Sequence, residues 1–144
     1  MAQQREGRLV NEWLWKTYPT KLQWKRVRLG QTPNKVEAAY YKVHLRWADA
    51  IVINDMDVVI IEGKIRPGFG ALGQLEAYKE LFKKTPEFMD YWNRNIKLVL
   101  LTAWHDENIK TECERKNIDY VFFQPDWIKP YLAQILKVDI SQIK

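Results

Sequence analysis

Apolar residues in the first part of the chain change from helical spacing to alternation. They first recur three and four residues apart, at Leu9, Val10, Trp13 and Leu14. This period predicts an amphipathic helix over about residues 4–17, ended by Tyr18-Pro19. Residues 22–29 then alternate imperfectly between apolar and polar or basic side chains. That pattern is typical of a short strand, and residues 31–34 have the composition of a loop.

A hairpin is predicted in the next segment. Residues from about 41 to 53 are rich in β-branched and aromatic side chains, and residues 58–61 form a wholly apolar run. Between these runs, residues 54–57 read Asn-Asp-Met-Asp, a composition typical of turns. We therefore expect two antiparallel strands, at least one of them well buried.

The rest of the chain alternates between helices and strands. A 3.6-residue apolar period predicts a helix over about residues 71–82, and residues 87–95 are ambiguous between a short helix and an irregular connection. Two strands and two helices complete the pattern, with strands at 97–102 and 120–123 and helices at 107–116 and 127–136. This order predicts one α/β domain over residues 1–144, with a mixed sheet of four to five strands covered by helices on both faces.

Composition narrows the class of protein further. The 144 residues are 47% hydrophobic and 28% charged, with 6 Gly and 6 Pro, which excludes a disordered or collagen-like chain. One cysteine and two histidines exclude an internal disulfide and a cysteine zinc cage, so any metal is expected to be a hard cation held by oxygens. No apolar run is long enough for a signal core or a membrane span, so we expect a cytoplasmic protein without a membrane partner.

The positive charge is concentrated near the start of the chain. The net charge is +5, but residues 1–35 alone hold eight Lys and Arg residues against Glu6 and Glu12. A basic face beside a balanced body suits a polyanion such as nucleic acid. Charge alone leaves a solvated basic surface equally open.

Three charged residues converge at the open end of the predicted hairpin. If Ile53 faces Val58 across the turn, the same count places Asp49 opposite Glu62, and directly opposed residues share a face of the sheet. Lys64 lies two residues further along and on that same face. Neighbouring carboxylates repel each other, and one lysine neutralises only one of them, so the remaining charge suits Mg²⁺ or Mn²⁺. An exposed hairpin end with solvated charges remains the alternative.

The following helix adds a motif. Gln74 and Tyr78 are four residues apart and therefore lie on one helix face. With Asp49 and Glu62-Gly63-Lys64 before it, this pattern resembles the PD-(D/E)XK nuclease superfamily, and within it the RecB-like branch with its Gln-x-x-x-Tyr helix. The resemblance covers about residues 46–82. No proline precedes Asp49, which departs from the superfamily's pattern.

The resemblance implies a restriction-endonuclease-like α/β/α core and a metal-dependent DNA nuclease. It implies that Asp49, Glu62 and the Gly63 carbonyl hold Mg²⁺ or Mn²⁺, and that Lys64 orients or helps to deprotonate the attacking water. The resemblance also implies that Gln74 positions Lys64, water or phosphate, and that Tyr78 touches the DNA backbone. The superfamily's first-helix glutamate corresponds to Glu12, with Glu37 as a substitute.

DNA is the expected partner, through Arg46 and the basic residues Lys25, Arg26 and Arg28 on flanking phosphates. Strand alternation predicts that Lys25 points away from the two arginines. Two other functions stay open: a non-catalytic nucleic-acid-binding or assembly protein with this fold, and an RNA-processing enzyme. The sequence leaves open a homodimer. Cys113, between two acidic residues, is expected to pack in the core, and Asp106 to cap a helix.

Overall fold

The computed structural model describes residues 2–30 and 46–144, with side chains from residues 4–30 and 47–144. The predicted loop at 31–34, the first residues of the predicted strand (41–45) and Glu37 lie outside the described residues. Four α-helices and two 3₁₀ segments are described: α1 (Ala2–Thr17), α2 (Gly70–Phe82), α3 (Glu107–Arg115), α4 (Ile128–Leu136), Pro86–Tyr91 and Ile140–Gln142.

Five strands form one mixed sheet: β1 (Leu22–Leu29), β2 (Arg46–Asn54), β3 (Asp57–Lys64), β4 (Asn95–Thr102) and β5 (Ile118–Phe122). Their spatial order follows the sequence order. The pairs β1–β2 and β2–β3 are antiparallel, whereas the pairs β3–β4 and β4–β5 are parallel. The predicted order of elements and the predicted mixed sheet are therefore confirmed.

The register of the β2–β3 hairpin is the predicted one. Ile53 faces Val58, and the ladder runs without a slip from the turn to the pair Ala50 and Ile61. In the turn, Asp55 has a φ of 56°, a left-handed conformation that Asp tolerates better than most residues. The tight turn fixes which residues oppose each other at the far end of the hairpin.

Helices cover both faces of the sheet and enclose two cores. On one face, α2 contributes Leu72, Leu75 and Phe82, and α3 contributes Ile109 and Cys113. The other face is covered by α1 and α4, through the following buried residues: Leu9, Val10, Trp13, Leu14, Ile128 and Leu132. The predicted apolar faces of these helices are thus the ones that pack, and β3 lies at the centre, buried from both sides.

Several smaller predictions have definite outcomes. The ambiguous stretch after α2 contains a 3₁₀ segment that begins at Pro86. Cys113 is buried, and burial, followed by the neighbouring acidic residues, raises the pKa of its thiol to about 11, which suits packing. Asp106 caps α3 by accepting hydrogen bonds from two amides of its first turn. Among the described helices, none is long and apolar enough to cross a bilayer.

Candidate active site

A cavity of about 440 Å³ opens where the far end of the β2–β3 hairpin meets α1, α2 and β1. It is lined by most of the residues that the sequence singled out: Lys25, Arg26, Asp49, Glu62, Lys64, Gln74 and Tyr78. Glu6 and Trp47, which the sequence analysis did not select for this site, also line it. The motif residues, 29 positions apart at their extremes, therefore meet at one place in the fold.

Asp49 is held at this end of the hairpin by the backbone of β3. One step beyond the last pair of the ladder, Ala50 with Ile61, the same register brings Asp49 opposite Glu62. Oδ2 of Asp49 accepts a hydrogen bond from the Gly63 amide at 2.7 Å. The two acidic side chains share one cavity, as the register predicted.

Glu62 is the most unusual group of the site. The residue is only 5% exposed, and its Oε2 is buried and accepts no hydrogen bond from the described residues. Burial, and next the nearby charge of Asp49, raise the pKa of Glu62 to about 8, although Tyr78 and Lys64 oppose the shift. The Lys64 ammonium is 3.9 Å from Oε1, a long ion pair with a lysine that is one-third exposed. The carboxyl is thus desolvated without full compensation.

Gly63 allows α1 to approach the sheet closely. A Cβ at this position would collide with the side chain of Val10 and lie 3.7 Å from the backbone carbonyl of Glu6. Only glycine leaves room for α1 to lie directly over this part of β3. The close packing brings the start of α1 to the rim of the cavity.

Glu6 is the acidic residue that α1 contributes to the cavity. Its Oε2 accepts a hydrogen bond from the Ile65 amide at 3.1 Å. Burial raises the pKa of Glu6, the Ile65 amide and Lys64 lower it, and Asp49 raises it further. Glu6 therefore belongs electrostatically to the same cluster as Asp49 and Lys64.

Glu12, the sequence choice for the first-helix acid, lies elsewhere. Its carboxylate accepts hydrogen bonds from Trp127 Nε1 at 2.7 Å and from Arg8 Nε at 3.3 Å, and it does not line the cavity. Six residues along a helix correspond to about 120° around its axis, so Glu6 and Glu12 face different directions. Glu12 therefore does not reach the cavity, and the acid that α1 brings there is Glu6. A usable signal existed, since Glu6 lies three, four and seven residues before the buried Leu9, Val10 and Trp13.

The two motif residues of α2 both line the cavity, as their spacing predicted. Gln74 is half-buried at its wall. Tyr78 is only 2% exposed, and its hydroxyl donates a hydrogen bond to the Trp47 carbonyl at 2.8 Å. The structure thus places the Tyr78 ring in the core, where it supports β2, and not on a surface that faces a DNA backbone.

The basic residues of β1 do not alternate as predicted. Arg26 has a φ of 52°, and it is missing from the ladder between the pairs of Lys25 and Val27 with β2. This left-handed residue breaks the alternation, so that Trp24 and Val27, three residues apart, pack against the same core. Lys25 and Arg26 are consequently both exposed, and both line the cavity. Arg28 is exposed further along β1, and the side chain of Arg46 lies outside the described residues.

The donor set suits a hard cation, though it is not a complete cage. Among the residues with described side chains, no three Asp, Glu, His or Cys residues are arranged to hold a metal ion together. What the site offers is a pair of neighbouring carboxylates with one buried oxygen that accepts no hydrogen bond. Mg²⁺ takes one or two protein carboxylates and completes its shell with water and phosphate oxygens, so a two-carboxylate site fits it.

Comparison with known proteins supports the fold. No protein-family model matches the sequence, and no curated protein sequence matches it. A repair endonuclease from Pyrococcus abyssi superposes with a TM-score of 0.53 at 14% identity, over 82% of this chain and 46% of the endonuclease. A complex of EndoMS with double-stranded DNA gives a TM-score of 0.50 at 14% identity, over 82% of this chain and 44% of EndoMS.

These comparisons establish the fold class of the chain. The chain has a restriction-endonuclease-like fold, which confirms the predicted fold class. Membership of the PD-(D/E)XK superfamily, which the motifs predicted, agrees with this fold. The RecB-like branch stays a prediction. The chain spans less than half the length of both structures, and at this identity the likeness concerns the fold alone.

Proposed function

We propose that this chain is a metal-dependent nuclease that hydrolyses phosphodiester bonds in DNA. The observation that carries the proposal is the burial of Glu62 beside Asp49, where Lys64 forms a long ion pair with Glu62. Such an arrangement disfavours the charged form of Glu62. A buried carboxyl with so little compensation is typical of a site that binds a ligand. A cation between the carboxylates would remove that penalty.

The residues that would hold the metal are Asp49, Glu62 and the carbonyl of Gly63. Glu6 is the next carboxylate at the cavity, close enough to Asp49 for each to influence the other. When bound, Mg²⁺ or Mn²⁺ would neutralise charge on the phosphoryl oxygens and lower the pKa of a bound water. The hydrogen bond from the Gly63 amide to Oδ2 fixes the Asp49 carboxylate at this end of the hairpin.

Lys64 and the residues of α2 would act on the substrate and on the attacking water. The Lys64 ammonium lies at the cavity next to Glu62, where it balances phosphate charge and orients a water molecule for in-line attack. Gln74 lines the same wall and would hold Lys64, water or a phosphate oxygen by hydrogen bonds. Tyr78 would act as a positioning residue, because its hydroxyl holds the backbone of β2 two residues before Asp49.

DNA would enter across β1. Lys25 and Arg26 line the cavity, and with Arg28 they give its entrance a positive charge. Lysine and arginine side chains bind phosphates without reading the base sequence, so this surface supports affinity and not sequence choice. The neighbouring carboxylates with Lys64 beside them and the basic entrance together favour the nuclease over a non-catalytic DNA-binding protein.

The proposal is tested by digesting labelled linear, nicked, single-stranded and four-way-junction DNA with Mg²⁺, with Mn²⁺ and with EDTA. Cleavage is expected only with metal, and Asp49→Asn should reduce it at least 100-fold. Asp55→Asn is the matched control, because Asp55 lies at the opposite, exposed end of the same hairpin and should leave cleavage unchanged. Cleavage that persists in EDTA would contradict the proposal, and DNA binding without cleavage would favour the non-catalytic alternative.

A further inference from the structure

Trp47 is a large aromatic side chain exposed at the rim of the candidate active site. It lines the cavity beside Asp49 and is nevertheless 51% exposed. Its indole does not belong to either core of the described residues. Packing therefore does not explain why a tryptophan occupies this position.

The backbone fixes where this side chain lies relative to the acidic residues. Trp47 precedes Asp49 by two residues on β2, which corresponds to about 7 Å along the strand. The Tyr78 hydroxyl holds the Trp47 carbonyl at 2.8 Å, and Tyr78 itself is buried. The ring thus projects from a rigid part of the sheet at a short, set distance from the proposed metal ligands.

An arginine lies next to the tryptophan. Arg28 on β1 is the direct cross-strand partner of Trp47, and directly opposed residues share a face of the sheet. Arg28 is exposed, so an aromatic ring and a guanidinium are presented together beside the cavity. A nucleotide has the matching groups, a base that stacks on an aromatic ring and a phosphate that binds arginine.

We propose that Trp47 stacks on an unpaired base of the DNA strand in the active site, and that it makes single-stranded DNA, including the single-stranded parts of branched DNA, the preferred substrate. This inference rests on the proposed function and specifies its substrate. In a duplex both faces of each internal base are covered by neighbouring base pairs, so a ring beside the cavity finds a free base only where the strand is unpaired.

A second cavity gives the strand a route away from the site. It measures about 650 Å³ and lies between β1 and the 3₁₀ segment that begins at Pro86. Lys25 and Arg26 line both cavities, and Arg28 lines the second. The positive charge therefore continues along β1 beyond the cavity, as a path for the phosphates of a flexible single strand requires.

The inference is tested by binding, in EDTA so that no metal-dependent cleavage occurs. The probes are a fluorescent oligothymidylate and an abasic oligonucleotide of the same length, which keeps the phosphates and lacks the bases. Trp47→Ala should weaken oligothymidylate binding by about tenfold and leave binding of the abasic strand unchanged. Trp47→Phe, which keeps an aromatic ring, should restore most of the affinity.

Trp15→Ala is the matched control. Trp15 is 77% exposed on α1 and lines neither cavity, so its loss should not change binding of either probe. Circular dichroism and thermal unfolding establish that each variant is folded. The inference would be overturned if Trp47→Ala lost the same affinity for both probes or lost none for either. It would also be overturned if the wild-type protein bound no single-stranded DNA.

The failure of this inference and that of the proposed function give different results. A wild-type protein that cleaves DNA with metal, together with an unaltered Trp47→Ala variant, overturns only the role of Trp47. A protein that binds bases through Trp47 and cleaves no DNA with any metal overturns the nuclease and supports the stacking site.

Discussion

The two ends of the β2–β3 hairpin carry the same kinds of side chain in opposite surroundings. At the turn, Asp55 is paired with Lys21 at 3.2 Å and Asp57 with Lys97 at 3.4 Å. At the open end, Asp49 and Glu62 lie side by side, and Lys64, 3.9 Å from Glu62, is the only lysine in an ion pair with them among the described residues. One end pairs each acid with its own cation, and the other places two acids side by side, with Glu62 almost fully buried.

The difference separates a structural role from a functional one. Exposed ion pairs such as those at the turn contribute little to stability, but their charges remain solvated and carry no large desolvation penalty. Burial of Glu62 beside Asp49 opposes folding when the group is charged. The apolar core around β3 must offset this penalty, which is reasonable if the open end exists to bind a cation and a phosphate.

The largest effect is expected from Lys64→Ala. The variant should lose cleavage by at least 100-fold, because Lys64 is proposed to act in the chemical step. Its DNA affinity should stay nearly intact, because one phosphate contact is a small part of an interface with many contacts. Single-turnover cleavage and anisotropy titrations measure the two quantities separately.

Lys97→Ala at the turn end serves as the control for this loss. It removes the lysine that pairs with Asp57 at the turn end, and the variant should cleave DNA like the wild type. A Lys64→Ala variant that cleaves normally would remove this lysine from the mechanism and make the two ends of the hairpin equivalent.

The next effect concerns the pH dependence of stability in EDTA. The pKa of Glu62 in the folded protein, about 8, lies above the ordinary value of 4.5, so the folded state binds the proton more tightly than the unfolded state. The contribution of Glu62 to the free energy of unfolding is fully present below pH 4.5 and is lost as the pH rises to about 8. Glu62→Gln removes the titration, so the variant should gain on the order of 3 kcal/mol relative to wild type between pH 5 and pH 8.

Urea unfolding at pH 5, 6.5 and 8 measures this gain. Added Mg²⁺ should then stabilise the wild type more than Glu62→Gln at pH 8, since binding to the folded state raises its stability. A difference between the two proteins that does not change with pH would show that the open end carries no strained carboxyl.

A smaller effect is expected where α1 touches the open end. Gly63→Ala places a methyl group against Val10 and should destabilise the fold by about 1–3 kcal/mol. Gly73→Ala is the matched control on α2, where a Cβ has no neighbour within 4 Å, and it should stabilise the helix by up to about 1 kcal/mol. Equal changes in the free energy of unfolding for the two variants would show that the packing of α1 does not depend on Gly63.

Much of the open end was predictable from sequence because it depends on regular geometry. The two-residue period and the composition of the turn fixed the opposition of Asp49 and Glu62, and helical spacing placed Gln74 and Tyr78 on one face. Such relations hold within one hairpin or one helix. They need no knowledge of how distant elements pack.

The errors lie where packing decides. Both Glu6 and Glu12 are on the predicted helix, and only the close approach of α1 over Gly63 selects Glu6. Nothing in a basic residue such as Arg26 signals a left-handed conformation, which breaks the alternation of β1. No sequence signal marks Trp47 as half-exposed, since a tryptophan in a strand is usually part of the core.

The smallest effect is expected at the turn end, from Asp57→Asn. The substitution removes the charge that Lys97 faces at 3.4 Å and keeps a side chain that can still bond Asn95, its neighbour at 3.3 Å. An ion pair with a half-exposed lysine is worth little, so unfolding in urea should change by no more than about 0.5 kcal/mol. Since salt screens such pairs, the difference should shrink further in 1 M salt. A loss above 2 kcal/mol would mean that the turn end also holds a desolvated charge, and the contrast with Glu62 would no longer identify the open end as the functional one.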